Sequence, residues 1–177
     1  MPGEDIVVTN RTTLNLSSNM GRGFEINSLT ANKASSLRVT GPGYVKNVDL
    51  DGVDATFVGA RDNRLSIRND AGPALSIRGP RGTYNLMNVS IEGQSATSQG
   101  VSVLHVDGTK EAMGNRITVR DSNITTSGKS RDGAPAVRPI LVESYYGKLL
   151  FENVEFDTTT SGNTPVIEYD SSRGQSK

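Results

Sequence analysis

The 177-residue sequence has no cysteine and no tryptophan. Without cysteine, the chain has neither a disulfide framework nor a metal site built from thiolates. Aromatic residues make up only 5% of the chain, while glycine, serine, threonine and asparagine are abundant. Because aromatic rings supply much of the buried surface in large cores, this composition favours a thin, repetitive β core.

The chain also lacks an excess of charge of either sign and a long apolar run. Its 19 basic and 19 acidic residues balance to a net charge of zero, so nothing favours a phosphate backbone and we expect no nucleic acid among the partners. No stretch approaches the roughly 18 apolar residues that a membrane-spanning helix needs. The acidic segment 1–8 does not have the pattern of a signal peptide. We expect a protein made in a cytoplasm, without a membrane partner.

What the sequence does contain is an internal repeat. Its unit is an apolar residue, a variable residue and then Asn or Asp, and in four of five copies another apolar residue follows three positions later. The copies are 45–50 (VKNVDL), 65–70 (LSIRND), 86–91 (LMNVSI), 119–124 (VRDSNI) and 151–156 (FENVEF). A constant motif at irregular spacing indicates one coil of constant shape with loops of variable length.

Further short strands follow these copies, at 74–77, 101–103, 140–142 and 165–169, and glycine-rich turns separate them. Such strands cannot bury an apolar face alone, but stacking successive coils at about 4.8 Å buries a continuous interior. Parallel crossover connections are nearly always right-handed. We therefore predict an all-β fold, a right-handed parallel β-helix of roughly six coils.

The Asn or Asp of each copy has a predicted structural role. A sharp corner needs a residue near the left-handed region, which Asn and Asp tolerate better than most residues. Asn side chains on neighbouring coils can also donate to and accept from one another, whereas an aspartate can only accept. The predicted ladder consists of Asn47, Asn69, Asn88, Asp121 and Asn153.

The pattern L-x-F-x-N-V-x-F at 149–156, together with LMNVSI at 86–91, resembles coils of the pectin-lyase-like β-helix superfamily. That superfamily includes pectate lyases, polygalacturonases and phage tailspikes. The resemblance covers about residues 35–170 and is specific for the fold. Residues 1–34 are predicted to form an N-terminal arm or a first coil, and residues 171–177 a flexible tail.

The resemblance implies a possible action on polysaccharides, and inverting hydrolysis needs two carboxylates held across the sugar. Asp49 and Glu155 are predicted to lie several coils apart. Glu155 and Asp157 share one face and are the candidate for a loose cation or glycan site. The lone histidine, His105, excludes a histidine-rich metal site and is predicted to be partly packed at a strand end. We predict no catalytic residue, no metal and no cofactor.

Tyr145 and Tyr146 precede Gly147 at the end of a strand and are the candidate partner-contact surface. Packing at the edge of a coil is the alternative for this pair. Phe151 and Phe156 fall on inward positions, and Arg120 and Glu152 are predicted to pair across adjacent coils. The longest loops, near 92–99, 125–134 and 157–164, are expected to cluster on one side of the rod, where binding commonly resides.

These observations together favour a non-enzymatic structural protein of a phage particle. A small β-helix of this kind resembles a capsid decoration (cement) protein that binds and stabilises the capsid surface. The resemblance implies a homotrimer, capsid or tail proteins as partners, and a location in the virion. One alternative is a tailspike-like receptor-binding or polysaccharide-depolymerising module, and another is a polysaccharide-binding module.

Overall fold

A computed structural model describes residues 3–18, 23–69, 73–79, 81–94, 103–107, 115–127, 140–143, 147–158 and 167–170. Throughout these residues the chain consists of strands, turns and bends. None of them forms a helix with the length and apolar character needed to cross a membrane. The all-β class predicted from the sequence is therefore confirmed.

Sixteen strands follow one another along the chain. They are β1 (Glu4–Val8), β2 (Thr13–Ser17), β3 (Phe24–Ala31), β4 (Ser36–Thr40), β5 (Gly43–Lys46), β6 (Val48–Asp51), β7 (Asp54–Val58), β8 (Leu65–Arg68), β9 (Leu75–Arg78), β10 (Thr83–Met87), β11 (Val89–Gln94), β12 (Leu104–Asp107), β13 (Arg116–Ser127), β14 (Ile140–Glu143), β15 (Lys148–Thr158) and β16 (Ile167–Asp170).

Parallel pairing sorts these strands into three faces of one rod. Face A stacks β2, β4, β7, β10 and the first halves of β13 and β15. Face B stacks the start of β3, then β5, β8, β11 and the second halves of β13 and β15. Face C stacks β1, the end of β3, β6, β9, β12, β14 and β16. The strands complete six coils after β1, forming the predicted right-handed parallel β-helix, about 30 Å tall.

The core is a set of apolar columns that run along the rod. On face A, inward residues of successive coils lie opposite one another, as in the column Val39, Phe57, Leu86 and Val119. All four side chains are at most 2% exposed. Strict alternation points every second residue into the interior, so each coil covers the apolar side chains of the next.

Residues 4–31 belong to this stack. β1 pairs with β3, β2 pairs with β4, and β3 supplies both face B and face C of the first complete coil. Of the two alternatives for residues 1–34, this pairing supports a first coil over a separate arm. The predicted tail at 171–177 lies outside the described residues.

The five residues of the predicted ladder stand at two corners of the rod. Met87, Arg120 and Glu152 are in register, so the residues that follow them, Asn88, Asp121 and Asn153, form a column at the corner between faces A and B. The backbone of this column is left-handed throughout, with φ angles of 52° at Asn88, 49° at Asp121 and 52° at Asn153. Asn153 donates from Nδ2 to Oδ1 of Asp121 at 2.7 Å.

Asn47 and Asn69 form a second column, at the corner between faces B and C, because β5 and β8 are in register immediately before them. Asn47 is left-handed with φ 49° and contacts the carbonyl oxygen of Asn27, while Asn69 is buried. The prediction of one ladder was therefore wrong. The motif marks a corner of the coil and not one fixed position in it. Four of its five corner residues have a left-handed backbone, a conformation that costs most residues roughly 1–2 kcal/mol.

Three long insertions start along a single corner. β11 and the second halves of β13 and β15 end side by side on face B, and the chain resumes in β12, β14 and β16, which are stacked on face C. Residues 95–102, 128–139 and 159–166, which connect them, lie outside the described residues. Their attachment points line up at the corner between faces B and C in the last three coils. The sequence analysis expects these loops on one side of the rod, and their attachment points share one corner.

Candidate functional site

Several described outward charges of the rod pair with a charge on a neighbouring coil. These pairs are Arg68–Glu92 (2.9 Å), Arg78–Asp49 (2.9 Å) and Arg120–Glu152 (2.8 Å). The predicted Arg120–Glu152 pair is confirmed, and its side chains are 53% and 60% exposed. Exposed pairs of this kind contribute only about 0–1 kcal/mol each, so they support strand register modestly.

A fourth pair, on face C, is less exposed than the other three. His105 on β12 contacts Glu143 on β14 through Nε2 and Oε2 at 2.9 Å, and the two side chains are 24% and 12% exposed. The partial packing of His105 agrees with the sequence analysis, whereas its carboxylate partner was not predicted. The signal for it was present, because both residues point outward from strands that pair in register.

Ser76 on β9 lies opposite His105. A hydroxyl, an imidazole and a carboxylate therefore follow one another on three successive coils. Nucleophilic catalysis also needs hydrogen-bond donors directed at the developing oxyanion. On this flat face the backbone N–H groups of β9 and β12 belong to the sheet ladder, so the arrangement lacks that element among the described residues. These three side chains are therefore better suited to holding neighbouring coils together than to catalysing acyl transfer.

Glu155 and Asp157 lie exposed on face B of the last coil, on either side of the inward-facing Phe156. Their neighbours on the previous coil are Asn123 and Thr125, both uncharged. Neither carboxylate has a hydrogen bond or an ion pair to another described residue. Two adjacent carboxylates can attract a cation, but the described residues contain no group of three or more possible metal ligands.

The separation predicted between the remote acids is present. Asp49 is on face C in the second coil and Glu155 on face B in the sixth, so the pair cannot flank one sugar. Phe151 and Phe156 pack against the core and make an edge-to-face contact with centroids 5.7 Å apart, as expected for inward positions. The candidate contact residues Tyr145 and Tyr146 lie outside the described residues.

An aromatic residue that the sequence analysis did not single out lies on face B. The ring of Tyr44 is half-buried, with Arg68 Cζ at 5.2 Å and Lys46 Nζ at 5.9 Å from its centroid. A hydrogen bond with Glu25 raises the pKa of Tyr44 above its ordinary value. Tyr44 therefore presents an aromatic ring on the outer surface between two cations.

The position of Tyr44 could have been predicted. It directly precedes Val45, an inward residue of the first repeat copy, and alternation along the strand therefore places Tyr44 outside. The same alternation places Lys46, two residues later, beside it. Arg68 and Glu25 lie on neighbouring strands, and their positions depend on the register between β3, β5 and β8.

Face A differs from the other two faces in having few charges in its first four coils. Each of β2, β4, β7 and β10 presents three outward residues, and of these twelve only Arg38 and Asp54 are charged. Val58 and Met87 lie opposite each other in this region, and Met87 is 40% exposed. The other eight outward residues are Thr13, Asn15, Ser17, Ser36, Thr40, Thr56, Thr83 and Asn85.

Among the described residues, face C carries ion pairs between coils, face B carries an aromatic ring and two acids without an ion pair, and face A has few charges in its first four coils. Comparison of the chain with protein-family models, with curated proteins and with solved structures found no significant match.

Proposed function

We propose that the protein is a non-enzymatic structural protein of a phage particle, a capsid decoration protein that assembles side by side as a homotrimer on the capsid surface. The observation that carries this proposal is the low-charge outer surface of face A in its first four coils. Protein interfaces are depleted of charged residues at their centre, and this surface carries only two charges among its twelve outward residues, with Val58 and Met87 near one margin.

Two further observations support a structural role. Three ion pairs join outward charges of neighbouring coils, as expected for a surface that supports a scaffold. The attachment points of the three long insertions line up at the corner opposite face A, and loops on a rigid scaffold are common binding elements. We assign face A to contacts between copies of the chain and the insertion corner to contact with the capsid.

The solution mass tests the assembly. We expect light scattering coupled to size exclusion to give about 57 kDa, three times the 18.9 kDa of one chain. Met87→Arg places a charge on the surface that is buried in the trimer, so this variant is expected to elute as a monomer. Thr125→Arg, an outward substitution on face B, is the matched control and should leave the trimer intact.

A wild-type protein that remains monomeric at all concentrations would contradict the assembly. Turnover of a polysaccharide that disappears in Glu155→Gln or Asp157→Asn would contradict the non-enzymatic role and favour the depolymerase alternative. A panel of neutral and acidic polysaccharides, assayed for new reducing ends, makes this second measurement.

A polysaccharide-binding module is a second candidate, and Tyr44 is the observation that favours it. Glycan-binding proteins commonly stack a sugar on an exposed aromatic ring, and here charged groups flank the ring within 6 Å. Tyr44→Ala is expected to weaken retardation in gels that contain polysaccharide about fivefold, equivalent to about 1 kcal/mol. Tyr44→Phe keeps the ring and should keep most of the binding. Equal mobility of all three proteins would eliminate this candidate.

A further inference from the structure

A groove of about 630 Å³ lies at the corner between faces C and A, alongside β1 and the first three complete coils of the rod. Volumes of this size are typical of small-molecule sites. The groove spans the turns that follow β1, β3, β6 and β9. Its lining residues are Arg11, Asn32, Lys33, Ala34, Asp51, Gly52 and Arg81.

Three cations from three different coils line this groove. The side chains of Arg11, Lys33 and Arg81 have no ion pair or hydrogen bond to any described residue, unlike most arginines on the faces of the rod. The one carboxylate of the lining, Asp51, lies 4.0 Å from Arg78 and packs against Gly79 on the next coil. The lining therefore has a formal charge of +2, and its positive groups are not neutralised by their neighbours.

The backbone at this corner adds an independent observation. Arg11, Lys33 and Arg81 have φ angles of 58°, 52° and 43°, all in the left-handed region. At the same corner Gly52 has φ 62°, and glycine adopts this conformation without steric cost. Long cationic residues thus occupy positions where glycine or asparagine would be more stable. Strain of this kind concentrates at functional sites, and here it coincides with the concave surface.

Gly52 also shapes the groove. It stands between Lys33 and Arg81 in the succession of coils, and without a side chain it leaves the centre of the column open. The cations lie above and below this gap. A ligand entering the gap would meet positive charge from both sides.

We propose that this groove binds a phosphate monoester of about the size of a sugar phosphate. A phosphate monoester carries about −1.5 to −2 charges at neutral pH and three strong acceptor oxygens, which match the +2 charge of the lining. Arginine recognises phosphate oxygens through paired N–H donors. The inference goes beyond the proposed structural function, because it assigns a small anionic ligand to a corner that adjoins face A and whose lining residues are not among the outward residues of that face.

Calorimetric titration of the full chain with glucose 6-phosphate, inorganic phosphate and glucose tests the proposal. We expect glucose 6-phosphate to bind, with affinity that falls as sodium chloride is raised from 50 to about 500 mM, and glucose not to bind. Tighter binding of glucose 6-phosphate than of inorganic phosphate would assign the ester as the ligand. Equal binding would assign the phosphoryl group alone.

Two variants distinguish a loss of binding that is caused by removing a positive charge from one that is caused by unfolding. Lys33→Asn and Arg81→Asn are each expected to weaken glucose 6-phosphate binding at least tenfold, while the midpoint of thermal unfolding stays constant or rises because Asn tolerates a left-handed backbone. Arg61→Asn, an exposed arginine at another corner, is the matched control and should bind as wild type does. The proposal is overturned if neither phosphate probe binds at low salt, or if both groove variants bind as tightly as the control. Preferential binding of a single-stranded oligonucleotide would also overturn it.

Discussion

Replacement of Phe57 by alanine is expected to lower the free energy of unfolding by about 3–5 kcal/mol. Phe57 is fully buried in the third coil and lies opposite Val39 on one side and Leu86 on the other. Its ring fills the interior at the middle of the rod, and a methyl group would leave a cavity that strands fixed by hydrogen bonds on both sides cannot close. Chemical denaturation monitored by circular dichroism measures the loss.

The control for this substitution is Thr56→Ala. Thr56 is on the same strand but points outward, so its replacement is expected to change stability by no more than about 0.5 kcal/mol. If the two variants were equally stable, the assignment of inward and outward positions on face A would be wrong. The pair therefore tests the predicted alternation in one experiment.

The fold was predictable because a β-helix repeats its own local rules. The copies at 45–50, 86–91 and 151–156 each contain a strand end, a corner residue and a strand start, and the physical demands on each are the same in every coil. Alternation then identifies inward residues such as Phe156 without any knowledge of which coil lies next to which. The six coils and their core follow from these local patterns.

Register between coils was the part that sequence reasoning could not supply. Asn69 and Asn88 stand in similar motifs, yet they lie at different corners, because the segment 59–64 turns the chain onto face B before Asn69 is reached. A motif of six residues records what a corner requires, but the length of the preceding connection decides which corner it is. An error in the length of one connection therefore assigns the wrong pairing partner to every strand that follows it.

The candidate sites depended on that register. His105 and Glu143 are 38 residues apart in the chain, and Arg11 and Arg81 are farther apart still. Each charge alone is ordinary for a surface. Only the stacking of their turns or strands brings them together, and this is why the sequence analysis found the isolated acids Glu155 and Asp157 but did not find the cationic groove.

The stability of the protein is also expected to depend on pH through one buried tyrosine, Tyr84. Its side chain is fully buried on face A, and burial raises its pKa from 10.0 to about 12. The raised pKa means that the folded state favours the neutral phenol. The corresponding stability is complete below pH 10 and is lost as the pH rises through 12. Between pH 8 and pH 11 the expected loss is about 1.4 kcal/mol.

Tyr84→Phe isolates this contribution. At pH 8 the variant is expected to be less stable than wild type by about 1–3 kcal/mol, because the backbone N–H of Val53 donates to the Tyr84 hydroxyl at 3.3 Å and loses that acceptor. The variant has no phenol to ionise at this position, so the wild-type advantage should shrink by about 1.4 kcal/mol at pH 11. Denaturation curves of both proteins at the two pH values give this difference directly, since all other titrating groups cancel. An advantage that stays constant between the two pH values would mean that Tyr84 ionises equally in the folded and unfolded chains, and that burial in this core does not oppose its charge.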